Sequence, residues 1–139
     1  MTLVADSGAL YALYDADDSH HAAVRQVLET ERGPIIVPTT ILAEVDYLLR
    51  EFLGIDAELD FLSGITDGAY TLEALTPVDL ARCQELISLY RDLDLGLADS
   101  CIIATAERLG IKHVLTVDER DFRAVKPATG SFVLLPADA

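Results

Sequence analysis

The 139-residue sequence predicts a three-layer α/β sandwich, a mainly parallel sheet flanked by helices. Two observations carry that expectation. Short apolar runs alternate along the chain with longer stretches of helical periodicity. Strands joined through helices must then cross over right-handedly, which makes neighbouring strands parallel. No repeat, low-complexity stretch or long linker interrupts the alternation, so residues 1–139 read as a single domain.

"TLVAD" (2–6) is the first strand, and "SHHAAVRQVLETE" (19–31) the helix after it, with Ser19 as its N-cap. "PIIVP" (34–38) is a strand bounded by prolines. "TTILAEVDYLLREFL" (39–53) is a helix opened by threonine and ended near Gly54, and "DAELDFLSGI" (56–65) is another. "AYTLEAL" (69–75) has β character. "TPVDLARCQELISLYRDL" (76–93) is a helix with Thr76 as N-cap and Pro77 in first position. A helix from 98 to 109 stops at Gly110. "KHVLTVD" (112–118) is a strand, a helical turn covers 119–123, and "SFVLLP" (131–136) is the last strand.

Half the residues are hydrophobic, enough for a packed core, yet no apolar run approaches the roughly 18 residues of a membrane span. The first ten residues lack the basic segment of a signal peptide, so the expected setting is the cytoplasm. Cys83 and Cys101 lie in apolar helical patterns without metal-ligand spacing and read as small buried hydrophobes. A net charge of −14 argues against a generic nucleic-acid binder. It fits a solvated acidic surface, a basic partner, or acids gathered around a metal.

Four acids stand where the pattern calls for apolar or strand-end residues. Asp6 ends the first strand and Asp118 ends "HVLTVD", so both face the edge where parallel sheets bind ligands. Glu44 has Ile41 three residues before it, Val45 beside it and Leu48 four after, which places it on an apolar stripe. Asp99 heads the stripe of Ile102, Ile103, Ala106 and Leu109. Each has an ordinary alternative: a helix cap for Asp99, turn acids for Asp6 and Asp118, a buried arginine pair for Glu44. Taken jointly, carboxylates converging in a crevice need a positive charge between them. Mg²⁺ or Mn²⁺, which takes oxygen ligands and keeps several waters, suits the need, and the chemistry indicated is metal-dependent phosphoryl transfer or hydrolysis.

"VADSGALYAL", "PTTILAEVDYLL", "LGLADSCIIATAERLG" and "VLTVDERDF" resemble the four signature blocks of PIN-domain nucleases, and among these the VapC-type toxins of bacterial toxin–antitoxin pairs. The resemblance spans essentially the whole chain. It implies a five-stranded parallel sheet and an Mg²⁺- or Mn²⁺-dependent endoribonuclease. Asp6, Glu44 and Asp99 would organise one or two metal ions, and an activated water would attack the phosphorus of RNA. Asp118 would orient that water or complete a second metal site. Ser7 and Thr116 match small hydroxyl positions beside the acids and are expected to hydrogen-bond to them, with Ser100 a weaker candidate. The resemblance also implies a homodimer and a small antitoxin, for which the apolar face of 39–53 and the 56–65 segment would supply a groove.

RNA phosphates need cationic contacts, and Arg120, Arg123 and Lys126 are the candidates nearest Asp118. Asp121 lies three residues beyond Asp118, and a role outside the site is the favoured reading. His20 and His21 read as helix-start surface residues, and Asp15, Asp17, Asp18 and Asp94 as loop acids. The competing functions are a non-catalytic interaction module and a metal-dependent phosphatase. The second is weakened because "DSGAL" lacks an aspartate two residues after Asp6.

Overall fold

The computed structural model describes residues 1–139. Five parallel strands, β1 (Leu3–Ala5), β2 (Ile35–Pro38), β3 (Thr71–Glu73), β4 (His113–Leu115) and β5 (Val133–Leu135), form one sheet ordered β3-β2-β1-β4-β5. Seven α-helices accompany them: α1 (Ser7–Tyr14), α2 (His21–Thr30), α3 (Thr39–Leu53), α4 (Ile55–Thr66), α5 (Pro77–Leu89), α6 (Leu97–Leu109) and α7 (Arg120–Ala124). This is the three-layer α/β sandwich the sequence predicts, with all five strands where expected. No helix is long and apolar enough to cross a membrane.

β1 sits at the centre, with Val4 in register with Ile36 of β2 on one side and Val114 of β4 on the other. Leu3, Val4 and Ala5 are wholly buried, as continuous apolar strands covered on both faces must be. The first connections run outward from β1 through β2 to β3, and the chain then returns to place β4 against the opposite side of β1. The strand order therefore reverses between β1 and β4. β3 lies at the edge, where Thr71 and Leu72 are exposed.

α3 begins and ends at the expected residues and buries Ile41, Val45 and Leu49, one stripe at four-residue spacing. Gly54 closes it with φ 98°, a conformation glycine adopts without a Cβ penalty. α6 is buried more completely than an amphipathic reading allows. Ser100 through Ala106 are all buried, whereas Leu109, expected on its apolar stripe, is 38% exposed. α6 is thus an interior helix. Cys101 and Ala104 pack against Cys83 of α5, with the two thiols reduced and their Sγ atoms 3.6 Å apart. The reading of both cysteines as small buried residues agrees with this packing.

Three local expectations are corrected. α1 has no counterpart in the sequence reading: "SGALYALY" lacks the polar–apolar contrast that reveals a helix, because Ser7, Ala9, Leu10 and Ala12 are all buried. Ser19 does not cap α2, which starts at His21 after the Asp18 carboxylate accepts the His20 N–H at 2.8 Å. The helix expected over 76–93 ends at Leu89, and a 3₁₀ turn covers Arg91–Leu93.

The start of α5 is held by a capping box. Thr76 Oγ1 accepts the Asp79 N–H at 3.2 Å, and Asp79 Oδ2 accepts the Thr76 N–H at 3.0 Å. Arg108, in the last turn of α6, donates from Nε to Asp79 Oδ1 at 2.9 Å and pairs with Glu73 at 3.0 Å. Arg82 of α5 grips Glu107 of α6 through two bonds of 2.8 and 2.9 Å. These contacts lock the two helices together. Asp79→Ala removes both the cap and the acceptor of Arg108 from a position only 2% exposed. It is expected to cost about 3 kcal/mol of stability, read from urea unfolding.

Candidate active site

In parallel α/β sheets ligands bind beyond the carboxyl ends of the strands, where the strand order reverses. Here that point lies between β1 and β4. Asp6 follows β1 directly, and its N–H donates to the Leu115 carbonyl at 2.9 Å, continuing the β1–β4 ladder one step past the strand. Its carboxylate is held at both oxygens. Oδ1 accepts the Ser7 N–H at 2.8 Å and Oδ2 the Thr116 hydroxyl at 3.0 Å. Thr116 Oγ1 also accepts the Asp118 N–H and lies 3.1 Å from the Asp118 carbonyl, so one hydroxyl ties the β1 and β4 loops together. The expected hydroxyl contact to Asp6 is made by Thr116. Ser7 supplies only its backbone N–H, and its hydroxyl does not take the expected role.

Asp99 does not cap α6. Gly96 occupies the cap position, and Asp99 is the third helical residue, half-buried, with the buried segment Ser100–Ala106 behind it. Burial pushes its carboxyl up to about 6, assisted by the charges of Asp6, Asp121, Asp118 and Glu44 in that order. Burial also raises Asp6, against the Ser7 N–H and the Thr116 hydroxyl, while Glu44 and Asp118 add to the rise. The four acids singled out in the sequence therefore act on one another in space.

Two of them sit differently from expectation. Glu44 is exposed at the margin of the Ile41–Val45–Leu49 stripe rather than on it. Asp118 is exposed and lies three residues past the end of β4. Ser100 contacts no acid, since its hydroxyl donates to the Gly96 carbonyl at 2.8 Å. Of the basic candidates, Arg120 is 81% exposed beside Asp121, and Lys126 is exposed with its N–H donated to the Tyr90 hydroxyl. Arg123 is committed to Glu119 at 2.6 Å and Asp138 at 2.7 Å. His20 is exposed as expected, whereas His21 is half-buried and its Nδ1 donates to the Ala12 carbonyl at 2.8 Å, tying the start of α2 to α1.

Asp121 is the residue the sequence reading set aside. It is 7% exposed, and it stands second among the charges acting on Asp99. The signal was available in "ERDF": a helical turn anchored by an inward phenylalanine carries the preceding residue partly inward too, and Phe122 is 3% exposed.

No arginine or lysine forms an ion pair with Asp6, Glu44, Asp99 or Asp118. The donors gathered here are oxygens, the set that hard divalent cations select. Asp121 Oδ1 is shielded from solvent and accepts no hydrogen bond, its partner being Arg120 Nε in an ion pair at 3.5 Å. No three of the carboxylates stand close enough to form a ready-made coordination cluster. Mg²⁺ tolerates that arrangement, because it binds through one or two carboxylates and fills its octahedron with water. The largest concavity, about 450 Å³, lies between α2 and the C-terminal residues, and no acid of this set lines it.

A five-stranded parallel sandwich with acids at its strand-order switch has a match among known families. Residues 3–127 match the PIN domain, and the chain belongs to that family. It is 31% identical over 135 residues to Ribonuclease VapC26 of Mycobacterium tuberculosis, an alignment covering 96% of this chain and all of the relative. The VapC-type resemblance read from the four sequence blocks agrees with that relative. The fold is also that of VapC20 from M. tuberculosis, described as a sarcin–ricin-loop-cleaving toxin (TM-score 0.75, 17% identity, covering 81% of this chain and 86% of the other). VapBC2 of Rickettsia felis, solved with a fragment of promoter DNA, has a TM-score of 0.70 at 12% identity over 96% of this chain and 98% of the other.

A carboxyl whose folded pKa lies above its unfolded value stabilises the protein at low pH and weakens it as pH rises through the folded value. The Asp99 contribution is therefore lost between about pH 4 and pH 6. In metal-free protein Asp99→Asn is expected to unfold at a higher temperature than the parent above pH 6. The difference should vanish near pH 4, and a calorimetric pH series measures both.

Proposed function

We propose that this chain is an Mg²⁺- or Mn²⁺-dependent endoribonuclease, acting as the toxin of a toxin–antitoxin pair. The observation that carries the proposal is a set of mutually repelling carboxylates at the strand-order switch of a PIN-family fold, of which Asp6, Glu44, Asp99 and Asp118 have no basic partner. The relative named Ribonuclease VapC26 supports RNA as the substrate class.

Asp6, Glu44 and Asp99 would hold the cation, with Asp118 at the rim. A bound Mg²⁺ or Mn²⁺ supplies water activation and neutralises charge on the phosphate. The chain does the rest. Thr116 and the Ser7 N–H fix the Asp6 carboxylate, so that its remaining lone pairs keep one direction. α6, buried behind its first turn, gives Asp99 a rigid base. Asp118, exposed and tied through its backbone to Thr116, would orient the attacking water or complete a second metal site. Lys126 and Arg120, the latter 81% exposed and only loosely paired with Asp121 at 3.5 Å, would meet RNA phosphates, whereas Arg123 is engaged by two carboxylates. With so few cations, recognition would rest on the shape or sequence of a single-stranded loop.

The proposed partners are a small antitoxin and a second copy of the chain. The apolar stripe of α3 expected to line the antitoxin groove, Ile41, Val45 and Leu49, is buried in the core. The exposed apolar side chains that α3 and α4 would offer instead are Tyr47, Phe52, Ile55 and Leu59. The likeness to the VapBC2 structure supports a partner of this kind.

Incubation with structured RNA tests the activity. Cleavage is expected with Mg²⁺ or Mn²⁺ and not with EDTA. Asp6→Asn and Asp99→Asn should each lower it by about 100-fold or more, beyond the roughly 10- to 100-fold typical of residues behind a metal's ligands. Cleavage that survives both chelation and Asp99→Asn would overturn the proposal.

A further inference from the structure

A cavity of about 260 Å³ opens beside the acids. It is lined by His20 and Ala23 on the α2 side, by Thr116, Val117 and Glu119 after β4, and by Pro136 after β5. Thr116 is the residue whose hydroxyl holds Asp6 Oδ2, so the cavity and the acids share a wall. Cavities for whole small molecules begin at about 300 Å³, and this one suits a single planar group such as a nucleobase. The larger concavity along α2 shares Ala23 and Pro136 with it, which leaves room for a chain to continue away from the acids.

The polar wall of the cavity is fixed in place. Glu119 Oε1 accepts from Arg123 Nε at 2.8 Å and from Nη2 at 2.6 Å. Arg123 Nη2 also donates to Asp138 Oδ1 at 2.7 Å, and Asp138 Oδ2 accepts the Leu134 N–H of β5 at 2.8 Å. A relay of charge-assisted bonds thus ties Glu119 to the sheet. Ion pairs this exposed add little stability, so the effect of the relay is positional. Both arginine bonds fall on Oε1, and Oε2 accepts none from the protein. His20 is engaged only through its backbone, which leaves its exposed ring free.

We propose that this cavity is a subsite for one base of the RNA, next to the bond that is cut, and that Glu119 makes it select guanine. The assignment rests on the reading of the chain as an endoribonuclease. Bases of a single-stranded loop can be splayed out and read on their Watson–Crick edges. An ionised carboxylate only accepts hydrogen bonds. Guanine sets two donors side by side on that edge, N1–H and the N2 amino group. Adenine and cytosine place a ring-nitrogen acceptor beside their amino group, and uracil flanks its single N–H with carbonyls. Each of these three brings a lone pair against the carboxylate. Val117 and Pro136 supply apolar surface for the base, and the His20 ring supplies a donor for the adjoining phosphate.

Sequencing the ends cut from a randomised single-stranded RNA in the presence of Mn²⁺ reads the selection. The parent is expected to cut beside guanine. Glu119→Gln should lower that preference by about 10-fold or more, because its amide turns one acceptor of a two-bond contact into a donor. Guanosine and uridine, titrated into the metal-free chain, read the contact without activity. Guanosine should shift the amide NMR signals of Val117 and Ala137, uridine should shift them less, and Glu119→Gln should erase the difference. Ala23→Leu, which fills the cavity from an exposed helical position, should weaken the guanosine shifts with Glu119 still in place. Cutting by the parent without a preference for guanine, or guanosine shifts that Glu119→Gln and Ala23→Leu leave intact, would overturn the subsite alone. A parent chain that cuts no RNA with Mg²⁺ or Mn²⁺ would overturn the endoribonuclease reading, and this assignment with it.

Discussion

The pairing of β1 with β4 is the constraint on which the rest of the molecule depends. It places two strands far apart in sequence side by side at the middle of the sheet, with Ala5 opposite Leu115. The Asp6 N–H extends the ladder to the Leu115 carbonyl, and the Thr116 hydroxyl then reaches the Asp6 carboxylate. Because β2 and β3 lie on one side of β1 and β4 and β5 on the other, the connections diverge there and open the binding edge. A slip of one residue in this register would turn Val4 and Val114 to the wrong faces and separate Asp6 from Thr116.

α6 brings the next carboxylate to that edge, and two different forces hold it. Burial of Ile102, Ile103 and Ala106 supplies most of the free energy, roughly 2 kcal/mol for each large side chain withdrawn from water. The ion pairs to α5 contribute less, since Arg82 and Arg108 are both about one-third exposed and screened by solvent. Their contribution is positional. Two arginines on different helices, each bonded to a carboxylate on the other, fix the axial position of α6, and with it the height of Asp99 above the sheet.

The sheet and the long helices were legible because their signals are local. α3 carries a polar–apolar contrast and a terminal glycine, and its predicted bounds coincide with the observed ones. α5 announces its start through Thr76, Pro77 and Asp79. α1 was illegible for the converse reason, being apolar on every side. At the site, the four acids could be picked out by their poor fit to the pattern, but their exposure could not. Glu44 has apolar neighbours in sequence, yet the buried stripe repeats at four residues and passes beside it. Asp99 has the residue type of a cap just ahead of an apolar run, but α6 begins two residues before it, at Leu97. Asp121 could be suspected from the inward Phe122 beside it, but its burial and its nearness to Asp99 exist only in three dimensions.

The continuous burial of Ser100 through Ala106 also bears on how such a protein can change over generations. A helix with one free face tolerates drift on that face, whereas here seven successive positions must conserve volume. Their neighbours in α5 and the sheet are fitted to the same shapes. Variation is thereby channelled toward the exposed positions of the loops and outer helices, so descendants of this chain can acquire new recognition while the support beneath Asp99 stays the same.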